Sequence, residues 1–446
     1  MDNQKALRHE KIGILLLKYS VPAIVAMMTA SLYNTVDRAF IGSIKDVGAL
    51  AISGLGVTMP LFTILGAFCV AIAIGGSTNI SIKLGEGNKD EAEKILGNTV
   101  ALELVVGILM VLIGIFFLDN ILYMFGASKD TIKYAREYMS VIFEGAWFNL
   151  PGFALNSAIR ADGNPNLAAK MMVITCILNL ILDPIFIFGF DMGIRGAALG
   201  TVICQLVTFL WSAHYFTVGK SSLKLKIKNI KLEKKLLKII VVIALTPFFM
   251  ELAAGSIHLI TNRVLKIYGG DLAIGAMTAV SSISLMFLMP VFGLSQGMQT
   301  IIAYNHGAKQ PQRTKKTLLL AIIVSTIILT IGCIIIKLFP ELFVGIFTND
   351  AVLMKLAVDG INKYIMTLPT IGISILGAMY FQSIGSAKIS IFLSLLRQLI
   401  ILIPVIILVP KIYGLNGVWI AQPIADIASM VIVGLFLLKE FRKKRS

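Results

Sequence analysis

Long apolar segments constrain this chain more than any other feature. Twelve of them, each about as long as the ~20 residues needed to cross a bilayer core, alternate with shorter polar stretches. Backbone groups inside lipid must bond to one another, so each segment is predicted to be a helix. The predicted spans are 12–38, 47–75, 95–118, 133–158, 167–190, 194–217, 237–265, 272–301, 317–339, 354–381, 389–410 and 416–438.

Composition supports the same fold class. Hydrophobic residues make up 57% of the 446 and charged residues only 14%, against roughly 25% charged in soluble domains. The net charge of +16 could suggest nucleic acid, but most Lys and Arg residues lie in alternate loops and in both terminal segments. That asymmetry predicts a multi-pass protein of the plasma (inner) membrane with both termini cytoplasmic, and no nucleic-acid partner.

The two halves of the sequence repeat. Pro22 and Pro247 are 225 residues apart, Gly163 and Gly385 are 222 apart, and other turn glycines keep similar spacing. Each half contains six predicted helices, an even number, so both halves start on the same side of the membrane. We therefore predict two six-helix lobes related by a pseudo-two-fold along the membrane normal. The predicted division is an N-lobe at 1–218, a basic cytoplasmic linker at 219–236 and a C-lobe at 237–446.

Two aspartates inside predicted membrane helices, Asp37 and Asp183, are the strongest candidate site residues. Placing an ionisable group in a bilayer costs at least ~2.5–3.5 kcal/mol on insertion scales, so each such residue is expected to have a functional or structural role. Asn179 lies one helical turn before Asp183 and shares its face. The hydroxyl of Thr201 could join them. This hard oxygen set suits H⁺ or Na⁺ better than a soft metal.

The repeat indicates that these carboxylates are not needed for folding. Asp37 corresponds to Asn262 in the second half, and Asp183 corresponds to Ile403. Tyr33, one turn before Asp37, and Asn156 on the fourth helix could complete the site. The alternatives left open are that Asp37 pairs with Arg38 or caps a helix end, and that Asp183 is structural.

Three further residues are weaker candidates. Pro22 lies in the helix that carries Asp37, where a proline removes a hydrogen bond and leaves a kink, so it could be a hinge or purely architectural. Glu251 and Asp426 could offer negative charge to a cationic substrate in a cavity. Alternatively, such a carboxylate could pair structurally with Arg397 or Arg263.

Motifs for nucleotide binding or hydrolytic catalysis are absent: there is no Walker A sequence, no His-Glu-x-x-His and no Gly-x-Ser-x-Gly. The four cysteines match no metal or redox spacing. We therefore predict a protein that is not an enzyme, has no cofactor and draws energy from an ion gradient or from a partner. Because the repeat supplies both lobes within one chain, a monomer could form a complete path across the membrane.

The sequence resembles the multidrug and toxic compound extrusion (MATE) family over roughly residues 10–440. The order and spacing of several short stretches carry the resemblance. They are Pro22 with Tyr33-Asn34-Thr35-Val36-Asp37, Lys83-Leu84-Gly85-Glu86-Gly87-Asn88, Ile159-Arg160-Ala161-Asp162-Gly163-Asn164-Pro165, Asn179-Leu180-Ile181-Leu182-Asp183-Pro184, Arg195-Gly196-Ala197-Ala198-Leu199-Gly200-Thr201, Tyr304-Asn305-His306-Gly307-Ala308 and Gln382-Ser383-Ile384-Gly385.

The resemblance implies export of amphipathic, often cationic small molecules in exchange for H⁺ or Na⁺, with bending of the first helix at Pro22. It implies that the coupling cation binds at Asp37, Asn179, Asp183 and Thr201, with Tyr33 and Asn156 nearby. The alternative is a flippase for a lipid-linked precursor, which should line its cavity with cations. A third class, a membrane enzyme or a ligand sensor, is disfavoured by the repeat and the missing catalytic residues.

Overall fold

Helices account for nearly all of the chain. The structure, a computed structural model, describes residues 2–44, 48–348 and 350–443, and no strand occurs within those ranges. Residue 47, where the second predicted helix begins, lies outside them. The helices of the first half are α1 Asp2–His9, α2 Ile12–Gly42, α3 Gly48–Gly85, α4 Lys89–Met124, α5 Ile132–Ala161, α6 Pro165–Pro184 and α7 Gly193–Thr217.

One very long helix opens the second half. This helix, α8, spans Lys234–Gly307, and its backbone breaks at Gly270, where φ is +66°. Only glycine adopts that conformation freely, so α8 provides two spans rather than one. The remaining helices are α9 Pro311–Leu338, α10 Pro340–Gly345, α11 Ala351–Tyr364, α12 Leu368–Ser383, α13 Ala387–Leu395, α14 Ile403–Leu408, α15 Pro410–Tyr413 and α16 Leu415–Lys443.

Short irregular turns join several of these helices. A π-helical turn, Ile185–Gly189, continues α6, and another, Leu396–Leu402, joins α13 to α14. A 3₁₀ turn, Ile365–Thr367, joins α11 to α12. Together, α11 and α12 form one span, as do α13 to α15.

Within the described residues, eleven helical spans are long and apolar enough to cross a membrane. The exception among the twelve predicted spans is α5, whose 30 residues would still reach ~45 Å. Its polar residues can be accommodated because α5 packs against α3, α4 and α7, and most of its side chains are buried in protein. Each of the twelve predicted segments is therefore matched by a helical span.

Turn glycines repeat their backbone conformation between the halves. Gly163 and Gly385 have φ of +96° and +75°, and Gly193 and Gly414 have φ of +55° and +57°. These are positive φ values that favour glycine. The sequence spacing of these pairs thus corresponds to a shared local geometry at the turns.

The described chain divides into two compact units. The first comprises Met1–Glu10, Val21–Phe248 and Ala303–Lys309, and the second comprises Lys11–Ser20, Phe249–Ile302 and Gln310–Ser446. Each unit has its own apolar core. Ile142, Phe143 and Leu122 lie in the first core, and Trp419, Ile361 and Leu329 lie in the second.

The basic segment between α7 and α8 is bonded to the first unit along its length. Three buried side chains of that unit, Asp162, Glu93 and Asn98, accept its hydrogen bonds. The donors are the Ser221 hydroxyl to Asp162 at 2.8 Å, the Lys224 amide to Glu93 at 3.0 Å and the Glu233 amide to Asn98 at 2.7 Å. The Glu93 carboxylate also raises the pKa of the exposed Lys226 amine.

Candidate acidic site in the first unit

Two helices, α2 and α6, supply the acidic groups of the candidate site. Asp37 on α2 is 5% exposed, and Asp183 at the end of α6 is fully buried. One turn before it, Asn179 donates from Nδ2 to Oδ1 of Asp183 at 3.0 Å. The i, i+4 spacing brings these two side chains together as predicted. The carboxyl groups of Asp37 and Asp183 are also electrostatic neighbours, so helix packing joins the two halves of the predicted pair.

The close approach of α7 to α6 closes one side of the site. A Cβ atom built on Gly200 would lie 2.5 Å from Oδ1 of Asp183 and 3.4 Å from Nδ2 of Asn179. Real Cβ atoms do not come that close, so any side chain at this position would displace the Asp183 carboxyl group from its bond with Asn179. The next residue, Thr201, is 6% exposed and neighbours the Tyr33 hydroxyl. The structure therefore gathers five of the six predicted cation-site residues into one place.

Several oxygen atoms of this site make no hydrogen bond to the described residues. Four buried atoms have no hydrogen-bond partner among the described residues: Oδ1 of Asp37, Oδ2 of Asp183, Oδ1 of Asn179 and Oγ1 of Thr201. A buried acceptor left without a donor costs roughly 1–3 kcal/mol. A proton or a Na⁺ ion would relieve that cost, and carboxylate, amide and hydroxyl oxygens are suitable ligands for either.

Asn156 has different partners. It is 6% exposed, its Nδ2 donates to the Ala168 carbonyl at 3.2 Å, and its Oδ1 accepts from Nη1 of Arg160 at 3.1 Å. The first bond ties α5 to α6, the second lies within α5, and together they use both ends of the amide. The structure thus shows Asn156 in helix packing, with its amide bonded away from the two aspartates.

Tyr138 was missed by the sequence reasoning. It lies on α5, is 4% exposed and is an electrostatic neighbour of Asp37, Asp183 and Tyr33. Nothing in the spacing of α5 distinguishes it from other buried aromatic residues. Only the packing of α5 against the site reveals it.

Pro22 lies inside α2, next to a change of unit. The chain passes from the second unit to the first between Ser20 and Val21. Its repeat mate Pro247 is placed alike, because the chain changes unit again between Phe248 and Phe249. Both prolines therefore lie within two residues of a point where one helix leaves one unit and joins the other.

The two C-half carboxylates are in different environments. Glu251 on α8 is exposed and lines a cavity of about 410 Å³ in the second unit. Asp426 on α16 is fully buried and accepts from Arg397 at 3.4 Å, Gln422 at 3.0 Å and Thr367 at 3.2 Å. Of the two arginines considered as structural partners, Arg397 is the one that pairs with Asp426.

Comparison with known proteins agrees with this geometry. The model of the MatE family matches residues 22–185 and 247–408. The multidrug export protein MepA of Staphylococcus saprophyticus is 28% identical over 452 residues, which cover 99% of this chain and 97% of the relative. MepA of Staphylococcus aureus strain N315 is 29% identical over 436 residues, covering 95% of this chain and 94% of the relative.

The chain is also similar to solved structures of MATE transporters. The MATE multidrug transporter DinF-BH, solved as a complex with a small molecule, is 34% identical with a TM-score of 0.88, and 95% of each chain is covered. A multidrug resistance MATE family transporter of the MOP superfamily, solved in an outward-facing conformation, has a TM-score of 0.94 at 22% identity. That match covers 100% of this chain and 99% of the other.

These matches confirm the predicted fold class, an all-α membrane protein of twelve helices in two lobes. The proteins matched are transporters, which agrees with the general kind predicted from the missing enzyme motifs. The family model covers well over half of the 446 residues, and the relative DinF-BH exceeds 30% identity over nearly the whole chain. The chain therefore belongs to the MatE family, the multidrug and toxic compound extrusion transporters.

Proposed function

We propose that this protein is a multidrug antiporter that exports amphipathic, cationic compounds in exchange for H⁺ or Na⁺. The observation that carries the proposal is the group of four buried, unpartnered oxygens around Asp37 and Asp183 among the described residues. Two carboxyl groups held close together in a membrane helix bundle are costly unless a cation visits them. The names of MepA and DinF-BH, which describe multidrug export and a multidrug transporter, support this class of substrate.

The coupling site is proposed at Asp37, Asn179, Asp183 and Thr201, with Tyr33 beside it. Bound H⁺ or Na⁺ neutralises the carboxylates and favours whichever conformation binds that ion more tightly. Alternating access between lobes at 1–218 and 237–446, joined by the 219–236 segment, then couples ion entry to drug exit. The second half has Asn262 and Ile403 at the repeat positions, so the proposed coupling site belongs to the first half alone.

Pro22 is proposed as the hinge of the first membrane helix. Its missing N–H weakens the helix at that point, and the change of unit between Ser20 and Val21 falls beside it. Bending there would move Asp37 relative to the start of α2 without breaking the second unit.

The proposed setting is the plasma (inner) membrane, with both termini in the cytoplasm. The protein is proposed to work as a monomer whose only other partner is membrane lipid. No organic or metal cofactor enters the proposal apart from the coupling ion.

Proteoliposomes containing the purified protein test this function. Ethidium efflux is followed while a pH gradient or a Na⁺ gradient is imposed separately, and we expect one of the two to drive it. Asp37→Asn should reduce gradient-driven efflux to background while the folded protein remains, since an amide cannot release a proton and is a weaker Na⁺ ligand. Asn262→Asp, at the repeat position, is the matched control for a charge change elsewhere.

Efflux by Asp37→Asn at the wild-type rate would refute the proposed site. Failure of both gradients to move several dyes, with folded protein, would refute drug antiport. That second outcome would favour the flippase alternative, which a defect of a knockout strain in cell-wall or polysaccharide synthesis would then support.

A further inference from the structure

The second unit contains a cavity, here called the C-half cavity, whose lining combines both signs of charge. Its volume of about 410 Å³ lies within the ~300–1,000 Å³ range of small-molecule sites. Glu251 and Arg397 both line it. The apolar part of the lining is formed by large side chains, among them Met250, Leu285, Leu288, Phe292, Leu368 and Ile371.

The two charged groups do not neutralise each other. Among the described residues, Glu251 has no ion-pair or hydrogen-bond partner, and Arg397 pairs with Asp426. Glu251 is exposed on the cavity wall. A ligand cation entering the cavity would therefore meet a carboxylate that no protein cation occupies.

The bond between Arg397 and Asp426 leaves most of the guanidinium unused. Its one hydrogen bond among the described residues is long, 3.4 Å from Nη1, and a guanidinium has five N–H donors. Asp426 depends little on this contact, because Gln422 and Thr367 also donate to it, at 3.0 and 3.2 Å. The Arg397 side chain remains 16% exposed, so it can offer donors to a ligand anion. The planar guanidinium matches a carboxylate bidentately.

The backbone around Arg397 is also unusual. Arg397 and Gln398 both lie in the π-helical turn Leu396–Leu402, and such turns occur frequently at functional sites. Gln398 lines the same cavity, and its Oε1 is buried with no hydrogen-bond partner among the described residues. If the only role of Arg397 were to pair with Asp426, neither the π-helical turn nor the unsatisfied Gln398 amide beside it would be required.

We propose that the C-half cavity binds amphipathic zwitterions, with the ligand's cationic nitrogen at Glu251 and its carboxylate at Arg397. Arg397 is then the residue that distinguishes zwitterions from simple cations. This inference rests on the proposed export function, whose substrate class it narrows, but ligand binding can be measured without any ion gradient.

The test compares a zwitterionic dye with its ester. Rhodamine B carries a cationic xanthene and a carboxylate, and its ethyl ester differs only in masking the carboxylate. Binding of each to the purified full-length protein in lipid nanodiscs is measured by fluorescence polarisation at neutral pH. We expect the wild type to bind the free acid about ten- to a hundredfold more tightly, the worth of a charge-assisted hydrogen bond.

Variants assign the preference to the two charges. Arg397→Gln should remove the preference by weakening acid binding alone, and Arg397→Lys should retain part of it. Glu251→Gln should weaken both dyes by a similar factor, because both keep the cation. If Arg397→Gln does not fold, the double variant R397Q/D426N removes both buried charges together and should show the same loss of preference.

Equal affinity of the wild type for acid and ester would overturn the inference. A preference that persists in Arg397→Gln or in R397Q/D426N would overturn it as well. Failure of the proposed antiport would give a different result from failure of this inference. Neither dye would move under an ion gradient, but the free acid would still bind more tightly than the ester in nanodiscs. Gradient-driven export of the ester without any acid preference would refute this inference alone.

Discussion

Asp183 and Asp426 are equally buried but have opposite environments. Asp183 receives one amide bond, from Asn179, and keeps one oxygen without a partner among the described residues. Asp426 has an arginine, a glutamine and a threonine donating to it. A buried carboxylate whose oxygens accept hydrogen bonds from protein donors is a structural element. A buried carboxylate with an oxygen that accepts none is suited to bind a mobile cation. The comparison separates a group that holds helices together from one that we propose binds and releases an ion.

The largest expected effect comes from making the same substitution at both positions. Asp426→Asn should lower the free energy of unfolding by about 3 kcal/mol, because Arg397, Gln422 and Thr367 all lose a charged acceptor. Asp183→Asn should change it by less than about 1 kcal/mol, because no protein cation depends on that carboxylate. Chemical unfolding of each purified variant in detergent measures both values. Equal losses would show that the two aspartates do not differ in role.

A medium effect is expected at the contact between α7 and α6. Gly200→Ala places a methyl group 2.5 Å from Oδ1 of Asp183, so the Asp183 carboxyl group must move. We expect a loss of about 1–3 kcal/mol in stability from this overpacking, together with weaker coupling of efflux to the ion gradient. Gly56→Ala on α3 is the matched control, because its Cβ would meet nothing within 4 Å. Unimpaired efflux in Gly200→Ala would argue against a cation site at this contact.

The smallest effect is expected at the proposed hinge. Pro22→Ala restores an N–H inside α2 and should stiffen it, slowing efflux severalfold while leaving ion affinity unchanged. Pro60→Ala, inside α3 and far along the chain from any change of unit, should have little effect. Initial rates and ion dependence of dye efflux distinguish the two. A slowing of equal size in both variants would assign the effect to proline loss in general.

Much of this arrangement could be predicted from sequence because lipid restricts what a chain can do. Only helices satisfy the backbone in a membrane, so apolar length located the spans. An intramembrane carboxylate is rare enough to attract attention by itself, so Asp37 and Asp183 were found without a structure. Asn179 followed from helical spacing.

What could not be predicted depends on which helix faces meet. Tyr138 is an electrostatic neighbour of the acidic site, and no pattern in the sequence records that proximity. The closeness of position 200 to Asp183 appears only in the structure. Likewise, helix packing pairs Asp426 with Arg397 and not with Arg263, and it bonds Asn156 to Ala168 and Arg160.

The bonded segment between α7 and α8 has a mechanical consequence. A free linker behaves as an entropic spring whose reach grows with the square root of its length. Here the Ser221 hydroxyl and the amides of Lys224 and Glu233 are fixed to the first unit, so little slack is left. The segment therefore does not act as a flexible linker between α7 and α8. After this segment the chain first changes unit between Phe248 and Phe249, within α8 rather than in a loop.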